Sequence, residues 1–164
     1  DHISQMLTAT KGGKINISEE KDTKSVAEKF SKLIKQGDFI LLSGNLGVGK
    51  TTFIKHLINS LQKANKQKIS EVTSPTFNIT NEYQIKKKLI KHYDLYRIKN
   101  KKELNNLGID ENLKDQITLV EWPETVKKIK IKNSINLIFE YKKNYTERYL
   151  SIISKNKKLL NEFK

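Results

Sequence analysis

At 164 residues the chain has the length of one domain. With no cysteine and only three histidines, His2, His56 and His92, it excludes a disulfide framework and a thiolate metal site and offers little for structural zinc. No apolar run approaches the roughly 18 residues that span a bilayer, and no hydrophobic leader bounded by a cleavage site opens the sequence, so a soluble cytoplasmic protein is expected, with no membrane partner. The net charge of +14 rests on 32 basic residues, of which only Arg97 and Arg148 are arginine. Such a balance suits a polyanion-binding surface, but with abundant Asn and Ile it equally suits a solvated surface drawn from an A/T-rich coding sequence.

In chain order, residues 1–14 lack periodicity and are set aside as a leader or expression remnant. Residues 15–155 are expected to form the folded domain, and 156–164 a tail or short helix. KINIS, Lys14 to Ser18, alternates as a short strand. Val26, Phe30, Leu33 and Ile34 then recur at helical spacing, with Asp22 or Thr23 as cap and Gly37 as stop. FILLSG, Phe39 to Gly44, reads as a strand buried on both faces. Phe53, Ile54, Leu57, Ile58 and Leu61 mark a helix that begins inside GKTT. TFNITNEYQI and KHYDLYRI are strand-like segments around a basic turn, KKKLIK. KKELNNLGI and DENLKD suggest short helical turns, with Gly108 as a stop. ITLVEW is a further buried strand ended by Pro123. INLIFEYK and ERYLSIIS suggest a second hairpin, and KNKKLLNEFK a polar helix or tail. The fold class is therefore α/β: a single domain whose mixed sheet has a mostly parallel core, antiparallel hairpins and flanking helices.

The segment GNLGVGKT, Gly44, Asn45, Leu46, Gly47, Val48, Gly49, Lys50 and Thr51, fits G-x-x-x-x-G-K-[ST] at every fixed position, and Thr52 follows it. Average residue frequencies give such a match by accident in roughly 1% or fewer of chains this long. The strand before it and the helix after it are the context the motif requires. Glycines there turn successive N–H groups toward an anion, and the helix N-terminus adds about half a positive charge. Lys50 can reach the β- and γ-phosphates and the Thr51 hydroxyl can ligate Mg²⁺. A second acid is needed for the metal or the attacking water, at the end of a buried strand beside the loop. Glu121 in ITLVE and Asp94 in HYDLYR both answer to that position.

Neither N-K-x-D nor D-x-x-G occurs, which disfavours a GTPase. A small-molecule or nucleotide kinase is the alternative enzyme, although two arginines are few for a phosphoryl-transfer lid. A nucleotide-gated tRNA-binding module is the alternative outside enzymes.

Taken together, GNLGVGKTT, SPTFNITNEY, HYDLYRI, ELNNLGI and LVEWPE, in this order and spacing, resemble the TsaE (formerly YjeE) family of bacterial tRNA threonylcarbamoyladenosine biosynthesis, over about Ile15 to Glu124. Val48, where the family more often has alanine, and the lysine-rich tail depart from the pattern. The resemblance implies a P-loop NTPase fold and an Mg²⁺-dependent ATPase, slow alone, that supports the TsaB–TsaD complex, with tRNA contacted mainly through those partners. It implies phosphate binding by Gly44 to Thr52, metal binding by Thr51 and Glu121, and a water oriented or activated by Asp94. It further implies a switch-like loop at Ser74, Pro75 and Thr76, a functional edge at Trp122, which on pattern alone reads equally as a core aromatic, and base or ribose contacts from Ser18, Glu20, Thr23 and Arg148. Arg97 is the one candidate for an arginine finger.

Overall fold

The computed structural model describes residues 10–11, 13–45, 47–75, 80–122 and 131–163. Their elements are β1 (Thr10–Lys11), β2 (Ile15–Asn16), α1 (Glu20–Ser31), β3 (Phe39–Ser43), α2 (Lys50–Ala64), β4 (Thr80–Ile85), β5 (Lys88–Asp94), α3 (Lys101–Asn106), a 3₁₀ turn (Leu113–Asp115), β6 (Ile117–Trp122), β7 (Ile135–Lys142), β8 (Glu147–Ser154) and α4 (Lys157–Asn161).

Among the described residues the strands form one eight-stranded mixed sheet in the order β1-β8-β7-β3-β6-β5-β4, with β2 also on β8. Strand β3 lies parallel to both β6 and β7, and β6 lies parallel to β5, so four strands make a parallel centre. Antiparallel hairpins β4–β5 and β7–β8 complete the two sides. All five residues of β3 and all six of β6 are buried. That is why both read as continuous apolar runs: a central parallel strand is covered on both faces.

Two cores sandwich the sheet. On one face Phe30 of α1, Phe53, Ile54, Leu57 and Ile58 of α2, and Leu159 and Leu160 of α4 pack on Ile40, Leu42, Leu119 and Leu137. On the other, Leu104 of α3 joins Phe39, Leu41, Tyr93, Leu95, Val120 and Trp122. No described helix is long and apolar enough to cross a membrane.

Some local expectations shift. Helix α1 starts earlier than Asp22, at Glu20, and the Asp22 carboxylate instead accepts from the Glu19 N–H at 3.3 Å. The β4–β5 turn is confined to Lys86 and Lys87, because Lys88 already pairs with Ile85 and the rest of KKKLIK lies in β5. Thr10 and Lys11 pair with Ser154 and Ile153, so the sheet begins before Ile15. Of the two readings of the C-terminal segment, short helix or tail, the short helix is present as α4, and it is not wholly polar. Leu159 and Leu160 are 1% and 4% exposed, and Lys29 of α1 donates to the Glu162 carbonyl at 2.8 Å. Pro123 and Thr76 to Ile79 of the strand-like TFNITNEYQI lie outside the described residues.

Candidate functional site

The loop between β3 and α2 is shaped by three glycines with positive φ, Gly44 (+142°), Gly47 (+81°) and Gly49 (+110°). Gly44 must be glycine for a packing reason as well, since a Cβ there would stand 2.5 Å from the Phe139 carbonyl oxygen of β7. Gly49 caps α2, and the 15-residue helix then runs from Lys50. Lys50 Nζ folds back to donate to the Gly44 carbonyl at 2.7 Å, which keeps its ammonium over the loop. Val48 is 0% exposed and belongs to the core, so the loop is pinned by an apolar anchor. Leu46 is outside the described residues.

A pocket of about 370 Å³ opens on this loop, lined by Gly44, Asn45, Gly47, Gly49, Lys50, Thr51 and Thr52 together with Ser74, Asp94, Tyr96, Glu121 and Arg148. It lies at the carboxyl ends of the parallel strands, where α/β sheets leave a crevice between loops. Asp94 and Glu121 reach it because they are register partners at the ends of β5 and β6, so both side chains face the α1–α2 side. The Thr51 hydroxyl donates to Glu121 Oε1 at 2.9 Å and lies 2.9 Å from Ser74 Oγ. Glu121 Oε2 is 2.8 Å from His92 Nε2. Burial, then the neighbouring Glu121 charge, raises the Asp94 pKa above its ordinary value, against the Tyr96 N–H, His92 and Lys50, which lower it. Such a carboxylate is disposed to take up a proton.

Strand alternation sends Trp122 to the opposite face. Its side chain is 1% exposed in the second core and does not line this pocket. Arg148 lines the pocket, and its Nη2 donates to the Ser18 carbonyl at 2.8 Å, which brings those two residues together. Glu20 instead meets His56 of α2 at 3.1 Å, and Thr23 is 2% exposed inside α1; neither lines the pocket. Ser74 faces the pocket and Pro75 is buried, while Thr76 lies outside the described residues. Arg97 is exposed, does not line the pocket, and donates to the Tyr96 hydroxyl at 2.7 Å.

The family model for "Threonylcarbamoyl adenosine biosynthesis protein TsaE" matches residues 17–150. The chain belongs to the TsaE family. Among its relatives, the tRNA threonylcarbamoyladenosine biosynthesis protein TsaE of Rickettsia conorii is 35% identical over 86% of this chain and 78% of its own. The proteins of the same description from Rickettsia prowazekii and Aquifex aeolicus are 39% identical over 68% of this chain and 74% of theirs, and 37% identical over 77% and 89%. The crystal structure of Bacillus subtilis YdiB superposes with a TM-score of 0.67 over 94% of this chain and 93% of that one, at 24% identity, and so shares the fold. The fold is that of a P-loop NTPase, and the family's work is in tRNA modification.

In this TsaE-family chain three contributors to the site escape sequence reasoning. His92 sits two residues before Asp94 in HYDLYR, and its alternation with that acid was the available signal. Tyr96 is the fifth residue of the same motif and lines the pocket at 50% exposure. Tyr141 donates to the Gly47 carbonyl at 2.6 Å from a hairpin 94 positions away, and no local signal announces it.

The donor set suits a hard divalent cation. Thr51 and Glu121 present a hydroxyl and a carboxylate oxygen 2.9 Å apart at the pocket wall. Among the described residues no cluster of three His, Cys, Asp or Glu side chains could hold a metal alone. Mg²⁺ in nucleotide sites is held in that sparse way, by one or two protein oxygens with water and phosphate completing the shell.

Proposed function

We propose that this chain is an Mg²⁺-dependent ATPase that supports threonylcarbamoyl transfer to tRNA by a TsaB–TsaD complex in the cytoplasm, meeting tRNA mainly through those partners. The observation that carries the reading is the convergence of Lys50, Thr51, Asp94 and Glu121 from three elements on one pocket over the glycine loop.

The loop N–H groups and the N-terminus of α2 would bind the ATP phosphates, and Lys50 would exchange its Gly44 carbonyl for a phosphate oxygen. Thr51 and Glu121 would hold Mg²⁺, which when bound neutralises charge on the β- and γ-phosphates. Asp94 would orient a water against the γ-phosphorus and take its proton. As the new O–P bond forms, the β–γ bridging bond breaks, and ADP and phosphate leave. Arg148 beside Gly49 and Ser18 would border the nucleoside end of the pocket. The finger candidate Arg97 does not line the pocket, which supports slow turnover alone, since a well-placed arginine finger is worth about 10³–10⁵ in rate.

Phosphate release measured for the protein alone, and again with TsaB–TsaD, tests the proposal. Slow release that rises when the complex is added is expected. Fast hydrolysis alone, unchanged by the complex, would count against it. With γ-labelled ATP and a metabolite pool, label in an organic product instead of free phosphate would favour a phosphotransferase.

A further inference from the structure

We infer that His92 is a positioning residue for Glu121, holding one carboxylate oxygen from behind so that the other stands against the Thr51 hydroxyl where the divalent cation is received. The inference rests on the reading of Thr51 and Glu121 as the cation's protein ligands and adds to it the group that orients them.

His92 is 0% exposed and Glu121 is 4% exposed. The imidazole pairs in register with Leu119 and follows Ile90 on the same face, both fully buried in the main core. At such a position a leucine would pack without the desolvation cost of burying a polar ring. Here one ring nitrogen is partnered: Nε2 lies 2.8 Å from Glu121 Oε2, while Nδ1 is buried with no hydrogen-bond partner among the described residues. A polar group that packing does not require, bonded to the buried carboxylate that faces the pocket, is accounted for by what it does to that carboxylate.

For the ring to hold Oε2, Nε2 has to carry the proton and donate, with the carboxylate oxygen accepting. With Oε2 committed to the ring, rotation of the carboxylate is restrained and Oε1 stays with Thr51 Oγ1 at 2.9 Å. The chain His92, Glu121, Thr51 and Ser74 thus ties β5, β6, α2 and the loop before β4 into one hydrogen-bonded line. Partners of this kind behind a metal ligand contribute about 10–100-fold to metal affinity.

The test is Mn²⁺ binding in the presence of ADP, read by electron paramagnetic resonance, for wild type, His92→Leu, His92→Gln and Glu121→Gln. ADP binding in EDTA is measured alongside. His92→Leu should weaken Mn²⁺ binding about 10–100-fold and leave metal-free ADP binding unchanged. His92→Gln, whose amide can donate from near the Nε2 position, should recover most of the loss. Wild-type Mn²⁺ affinity in His92→Leu, beside a loss in Glu121→Gln, would overturn the role of His92 and leave the metal reading standing. Unchanged affinity in Glu121→Gln would overturn the metal reading and the inference with it. His92→Gln as weak as His92→Leu would reduce the residue to packing. Should His92→Leu not fold, nitrogen-15 NMR of the wild-type imidazole decides: a proton on Nε2 whose resonance moves on adding Mg²⁺ with ADP supports the inference, and a proton on Nδ1 overturns it.

Discussion

Replacing Gly44 by alanine should destabilise the protein even without a nucleotide. A Cβ at Gly44 would stand 2.5 Å from the Phe139 carbonyl oxygen, 3.0 Å from Phe139 Cβ and 3.1 Å from Val48 Cγ1. The nearest of these is backbone of β7, held against β3 by parallel pairing up to Ser43↔Ile138, so it cannot swing aside as a flexible side chain would. Overpacking of this kind costs about 1–3 kcal/mol. A φ of +142° in a region kept for glycine adds about 1–3 kcal/mol. Together these remove roughly 2–6 kcal/mol from a domain whose whole stability is of order 5–15 kcal/mol. At about 2–4 °C per kcal/mol for this length, the melting temperature should fall by roughly 5–20 °C. Gly47→Ala is the control, because its Cβ would meet nothing nearer than Tyr141 Oη at 3.9 Å and only the positive φ is strained, at about 1–2 kcal/mol. Thermal and urea unfolding of both nucleotide-free variants give the comparison. Equal losses, or a Gly44→Ala protein within about 1 kcal/mol of wild type, would refute the packing argument.

Lys50→Ala should weaken ATP binding by about 10–150-fold, the worth of a charge-assisted contact of about 1.5–3 kcal/mol, while leaving the melting temperature nearly unchanged; titration with a fluorescent ATP analogue reads it. Asp94→Asn should keep nucleotide binding and lose turnover. Because the folded-state pKa of Asp94 is raised, the native state binds more protons than the unfolded state between the two values, so this group's contribution to stability falls as pH rises through that window. Asp94→Asn should therefore be more stable than wild type near pH 7, with the difference fading toward acid below the unfolded value of about 4, as pH-dependent urea unfolding would show. Leu160→Ala in α4 should cost about 2–5 kcal/mol by chemical unfolding, since the side chain is 4% exposed in the main core; a loss under about 0.5 kcal/mol would return the segment to a peripheral tail.

Much of the fold could be read locally. Continuous apolar runs at Phe39–Ser43 and Ile117–Trp122 announced central strands, because a strand covered on both faces needs no polar side. The glycine loop and the apolar spacing of α2 announced each other. What failed locally was the choice between competing short-range signals. Asp22 and Thr23 both look like caps, yet Thr23 is interior because the helix begins a turn earlier. KNKKLLNEFK looks polar by composition, yet two leucines one position apart suffice to seat it on the core. Trp122 could be assigned to a core or to an edge from its motif; alternation from Glu121 decides for the core.

By itself the sequence determined the phosphate loop, the order of strands and helices from Ile15 onward, and the family, because glycine conformational freedom, apolar periodicity and short motifs are written in neighbouring residues. Only the tertiary structure decided that β7 lies beside β3 and closes on Gly44, that Tyr141 reaches Gly47, and that Asp94 and Glu121 fall in register with His92 behind them. Those are contacts between residues 27 to 95 positions apart, from Asp94–Glu121 to Gly44–Phe139. Their existence depends on strand order and on which face each side chain takes, and no local pattern carries either.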